Sequence, residues 1–191
     1  SAANPPTANK PAAKKSARKA YEKELLRLQV ELCHLQAWVK EKGLRVDRKD
    51  LVAQGAAVEL YPGVEAWFGE IESYVKVRAE SAGVEVKHYL VSSGLTEIIE
   101  GTSIYNNFAR VFASEYWFEP YETPFPKRVI TDTGKTQYLF RINKGIEDLG
   151  ESINRHMPEA ERPIPWSNMI YFGDGETDVP SMALMKKSGG A

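Results

Sequence analysis

The chain has one cysteine, Cys33, three histidines and almost no charge imbalance, with 25 Lys and Arg against 26 Asp and Glu for a formal net charge of -1. A single thiol cannot close an intrachain disulfide or build a multi-thiolate metal site, and such a chain suits a reducing cytoplasm. Balanced charge supplies no overall basic field, so nucleic acid is not an expected partner. The apolar runs are far shorter than a bilayer span and no apolar signal region is visible, so no membrane partner is expected.

What is present divides by composition. Residues 1–19, SAANPPTANKPAAKKSARK, have almost nothing to bury and are expected to be a disordered basic arm. Within residues 20–46, Tyr21, Leu25, Leu28, Leu32, Leu35 and Val39 fall at alternating spacings of four and three, which predicts one stripe of an amphipathic helix stopped by Gly43. A lone helix cannot cover that stripe. It must pack on the following domain or on a second copy, giving a homodimer through the Tyr21–Val39 helix.

Residues 47–191 read as alternating helices and strands. A Pro62-Gly63 turn precedes a helix with Val64, Trp67, Phe68, Ile71 and Val75 as its apolar positions. VEVKHYLVSSG becomes nearly continuously apolar toward Val91, as in a strand buried on both faces of a parallel sheet. A helix is expected from Leu95, strands in RVFASEYWFE and KRVITDTGK, a helix in KTQYLFRINKGIEDL, and a last short strand in NMIYFG. This alternation predicts an α/β fold with a doubly wound parallel sheet. Ligands of such sheets gather beyond the carboxyl ends of the strands.

Two strand ends carry chemistry. GDGETD places Asp174, Glu176 and Asp178 in five positions after a strand, and Asp174 with Asp178 is a donor pair suited to magnesium. The competing role is an acidic cap on the next helix. At VSSG, two hydroxyls and exposed amides at a strand-to-helix junction can hold an anionic oxygen, although a plain turn has the same look. Lys135 opens a helix, where a cation opposes the helix dipole unless something negative lies nearby. GKT at Gly134–Thr136 is not a phosphate-binding loop, because Val129 stands where that pattern needs glycine.

VSSGL from Val91, GKTQ around Lys135 and GDGETD resemble, in this order, motifs two, three and four of the haloacid dehalogenase-like hydrolases, in the branch similar to phosphoserine phosphatases. The resemblance covers roughly residues 47–187. It implies a Rossmann-like core that transfers a phosphoryl group from a small phosphorylated substrate with magnesium. Ser92 would bind the phosphoryl oxygens beside Ser93 and Gly94, and Lys135 would neutralise nucleophile and phosphoryl charge. Asp174 would ligate the metal, and Asp178 would complete or orient its shell.

That family also needs an Asp-x-Asp motif on its first strand, whose first aspartate attacks phosphorus. The chain contains no Asp-x-Asp, and Asp47 and Asp50 in DRKD are spaced differently and follow no apolar strand. The resemblance therefore implies a domain lacking its first strand and cap, which binds magnesium and phosphate with little or no turnover. Residues 19–46 separately resemble the helix that precedes the nucleotide-binding strand of family 2 polyphosphate kinases. Two alternatives follow: a non-catalytic binding or dimerisation module, and a polyphosphate or nucleotide kinase fragment.

Overall fold

The computed structural model describes residues 46–79, 82–119 and 125–191, together with Lys23, Arg27, Val30, Glu31, His34, Trp38 and 41–43 of the amino-terminal region. The chain divides into two units, residues 1–45 and 46–191, each described by itself. In the first, positions 23, 27, 30, 31, 34, 38 and 41 are helical and exposed. Arg27 donates to Glu31 one turn on at 3.1 Å. Gly43 takes the left-handed conformation (φ 62°) that ends helices and that only glycine adopts without strain. The apolar stripe from Tyr21 to Val39 and the arm 1–19 lie outside the described residues.

In the second unit, helix α1 spans Arg48–Ala56 and opens on a capping box. The Asp47 N–H donates to Asp50 Oδ2 at 3.2 Å, so both aspartates of DRKD are spent on a helix end. Helix α2, Val64–Ala79, sends Phe68 inward to meet His88 and Phe108 edge-on at 4.9 and 5.4 Å between ring centres. Strand β1, His88–Leu95, runs directly into the short helix α3, Thr96–Glu100. It starts later than expected, leaving Val84 and Val86 outside the ladder. Helices α1 and α3 meet backbone to backbone. A β-carbon on Gly55 would collide with the Ile98 carbonyl, and one on Gly101 with the Val52 carbonyl.

Strand β2, Phe108–Trp117, pairs with β1 in parallel, with Val91 opposite Phe112. Strand β3, Phe125–Arg128, pairs with β2 antiparallel, and the sheet order is β1-β2-β3. The fold is thus α/β, and among the described residues its sheet is three-stranded and mixed, smaller than the doubly wound parallel sheet expected. The segment KRVITDTGK gives only its first two residues to β3 before turning toward helix α4, Lys135–Lys144. Tyr138, Leu139 and Ile142 of α4 are buried as their spacing predicts, and join Phe112, Ile130, Trp166, Met169 and Met185 in one core cluster. Tyr138 stacks on Phe112 with ring centres 4.9 Å apart.

The long connection after α4 is held by that helix's own polar residues. Arg141 donates to the carbonyls of Ile146, Asp148 and Glu151, Lys144 to those of Ile153 and Arg155, and Asn143 to that of Ile164. The expected strand in NMIYFG requires correction: residues 169–174 belong to no sheet ladder among the described residues. Their backbone pairs instead with Ala191, which donates to the Met169 carbonyl (3.1 Å) and accepts from the Tyr171 N–H (2.7 Å). Alternation survives without a neighbouring strand, with Met169 buried and Ile170 and Phe172 69% and 74% exposed. Helix α5, Val179–Ser188, follows with Pro180 in its first turn. Among the described residues no helix is long and apolar enough to cross a membrane.

Candidate functional site

The extended run from Met169 delivers its loop at a fixed height because its backbone is clamped by Ala191 and its inward side chains pack on the core. The loop closes through a 3-10 turn, Glu176–Asp178, that feeds α5. Asp178 stands at the α5 N-cap position yet makes no capping hydrogen bond. Its side chain turns inward and is 5% exposed. There Asp178 Oδ1 accepts from Lys135 Nζ at 2.7 Å and from the Tyr171 hydroxyl at 2.5 Å. Lys135 also donates to Thr177 Oγ1 at 3.2 Å. Gly173 presses against this carboxylate: a β-carbon there would stand 2.6 Å from Asp178 Cβ and 2.8 Å from its Cγ.

The electrostatics follow from this packing. Burial pushes the Asp178 carboxyl up, but hydrogen bonds from Lys135 and Tyr171, the Lys135 charge and the Gly175 amide outweigh it and hold the group below its ordinary value. Tyr171 is pushed up to about 12, first by burial and then by its hydrogen bond to Asp178, with the Ser181 hydroxyl acting in the opposite direction. Lys135 is 6% exposed, so the helix-opening cation has its negative partner inside the protein.

Sequence reasoning singled out Lys135 and Asp178, and they form a buried ion pair. Asp174 is exposed at the loop tip, with no hydrogen bond or ion pair among the described residues. Ser92, Ser93 and Gly94 end β1: Ser92 Oγ accepts the Gly94 N–H at 3.0 Å, and the Ser93 carbonyl accepts the Ser114 hydroxyl at 3.0 Å. No hydrogen bond joins these three to Lys135, Asp174 or Asp178 among the described residues. Both loops nevertheless leave one core, since Val91 and Tyr171 pack on the same cluster. Among the described residues no group of three or more His, Cys, Asp or Glu is gathered as a metal-binding cluster.

Sequence reasoning missed Tyr171 and Thr177. The only available signal for Tyr171 was parity: it shares the inward face with Met169 two residues earlier. Two singletons also find places. His88 packs on Phe68 with its Nε2 buried and without a hydrogen-bond partner among the described residues, and His156 is exposed.

No protein-family profile matches the chain, and no solved structure matches it. An uncharacterized protein of Borreliella burgdorferi is 31% identical over 172 residues, covering 82% of this chain and 59% of that protein. A putative GDP-polyphosphate phosphotransferase of Corynebacterium glutamicum, PKK2A, is 45% identical over 60 residues, covering 29% of this chain and 16% of that protein. The chain thus spans less than two thirds of either relative.

Proposed function

We propose that residues 47–191 form a haloacid dehalogenase-like, Rossmann-type domain that binds inorganic phosphate or a small phosphomonoester with magnesium, and that turns over little or nothing. One observation carries this reading. An ammonium has three hydrogens; two of those on Lys135 are directed to Asp178 and Thr177, and the third has no partner among the described residues. A strongly held cation with a spare donor suits an oxyanion.

Magnesium, which keeps several waters and takes one or two carboxylates, is the cation this reading calls for. Asp174 is the exposed carboxylate that would hold the ion, and Asp178, committed through Oδ1 to Lys135 and Tyr171, would orient the shell. Bound there, the ion would offset phosphoryl charge. Ser92, Ser93 and Gly94 would supply hydroxyl and amide donors to the phosphoryl oxygens. The missing function is nucleophilic attack, since Asp47 and Asp50 cap α1.

Calorimetry with inorganic phosphate and magnesium, beside a p-nitrophenyl phosphate assay, tests the reading. Phosphate binding that weakens in Lys135→Met and magnesium binding that weakens in Asp174→Ala are expected. Binding of both ligands unaffected by these changes would sink it. The similarity to PKK2A supports a second reading, a polyphosphate or nucleotide kinase fragment, and absence of nucleotide binding in calorimetry would remove that one. A non-catalytic dimer is a third. Its test is size measurement with and without residues 1–43, where an unchanged monomer counts against it.

A further inference from the structure

We infer that Tyr171 is a positioning residue for the Lys135 ammonium, acting through Asp178. This rests on the reading of Lys135 as an anion-binding cation. A carboxylate held by one donor can rotate about its last torsion and exchange its two oxygens. Asp178 Oδ1 receives two donors, Lys135 at 2.7 Å and the Tyr171 hydroxyl at 2.5 Å, and a rotation that breaks one bond breaks the other.

The phenol donor to Asp178 is fixed independently of Lys135. The Tyr171 backbone is bonded to Ala191 and its ring packs on the core, so the hydroxyl rides on a rigid support. Gly173 is what leaves Asp178 its place, since a β-carbon there would stand 2.6 Å from Asp178 Cβ and 2.8 Å from its Cγ. The ammonium is then held at one point by Asp178 and Thr177, with its third hydrogen aimed in one direction. Phenylalanine at 171 would keep the ring in the core and delete only the donor.

The test uses the full chain with lysine labelled in nitrogen-15, so that a buried, slowly exchanging ammonium gives its own signal, assigned by its loss in Lys135→Arg. In Tyr171→Phe the hydrogen exchange of that ammonium is expected to quicken about tenfold, the equivalent of one charge-assisted hydrogen bond. Affinity for inorganic phosphate is expected to fall several-fold while helical circular dichroism is retained. An ammonium signal with unchanged exchange in Tyr171→Phe overturns the inference, even if phosphate affinity falls. A wild-type chain that binds no phosphate removes the anion-site reading instead, and leaves the exchange rate to decide the tyrosine's role. Should Tyr171→Phe fail to fold, the wild-type Tyr171 hydroxyl proton decides. It must exchange slowly and show a cross-relaxation peak to the Lys135 ammonium, and a hydroxyl proton that exchanges as fast as that of an exposed tyrosine refutes the inference.

Discussion

Replacing either member of the Lys135–Asp178 pair leaves the other charge buried, and the cost can be worked from the geometry. At 2.7 Å two unit charges attract by about 6 kcal/mol at an effective dielectric of about 20. Desolvation of both groups removes part of this, so a coupling of about 3 kcal/mol is the reasonable expectation. Lys135→Met and Asp178→Asn should each destabilise by about 3 to 4 kcal/mol, and the double variant by about 3 kcal/mol less than the sum. Urea unfolding of the four proteins reads this directly. A coupling under about 0.5 kcal/mol would put the pair in the class of exposed surface bridges and refute the reasoning.

The same pair sets an acid limit. Asp178 has a folded-state pKa below its ordinary value of 3.8, so near that pH the unfolded chain binds more protons than the folded one. Its contribution is therefore complete above about pH 5 and fades as pH falls through the ordinary value toward the lower folded one. Asp178→Asn should flatten stability against pH in that window, and an unchanged acid slope would contradict the assignment.

Three further outcomes follow from the same packing. Burial and the hydrogen bond to Asp178 push the Tyr171 phenol up to about 12, so its contribution to stability is present below pH 10 and is lost as pH rises through 12; ultraviolet titration should show one fewer late-ionising phenol in Tyr171→Phe. Gly173→Ala should displace Asp178, because the added carbon would stand 2.6 Å from its Cβ, lowering stability by roughly 1 to 3 kcal/mol; urea unfolding with no change in midpoint would argue against that crowding. Asp174→Asn, at an exposed loop tip, should weaken magnesium binding at least several-fold while moving the thermal midpoint by no more than about 2 °C. Calorimetry with and without the metal separates those two effects.

Elements with strong helical spacing were legible from the amino acids alone. Tyr138, Leu139 and Ile142 recur at spacings that only a helix puts on one face, and all three are buried. The DRKD aspartates, which follow no apolar strand, form the capping box that opens α1. Strand limits were less legible because period-two alternation and short apolar runs do not say what lies alongside. Met169, Ile170, Tyr171 and Phe172 alternate as a strand would, yet strand status needs a neighbouring ladder, and their partner is one residue at the far end of α5. The antiparallel pairing of β3 is a similar case. Nothing local in FPKR distinguishes it from a parallel strand, and its direction is set by the short connection back from β2.

At the site, residue type was legible and geometry was not. Asp178 was open to two uses, a magnesium ligand beside Asp174 or a cap on the following helix; it pairs instead with Lys135, and the difference between cap and pair is one of magnitude. A carboxylate at an N-cap contributes about 1 kcal/mol, whereas leaving the buried Lys135 ammonium without its partner would cost about 3 to 5 kcal/mol. The loop therefore resolves in favour of the ion pair, and the first turn of α5 carries Pro180, which has no amide hydrogen to satisfy. Tyr171 completes the arrangement because a carboxylate shared between an ammonium and a phenol has one orientation available. That constraint arises from two residues 36 positions apart meeting at a third, which no spacing along the chain records.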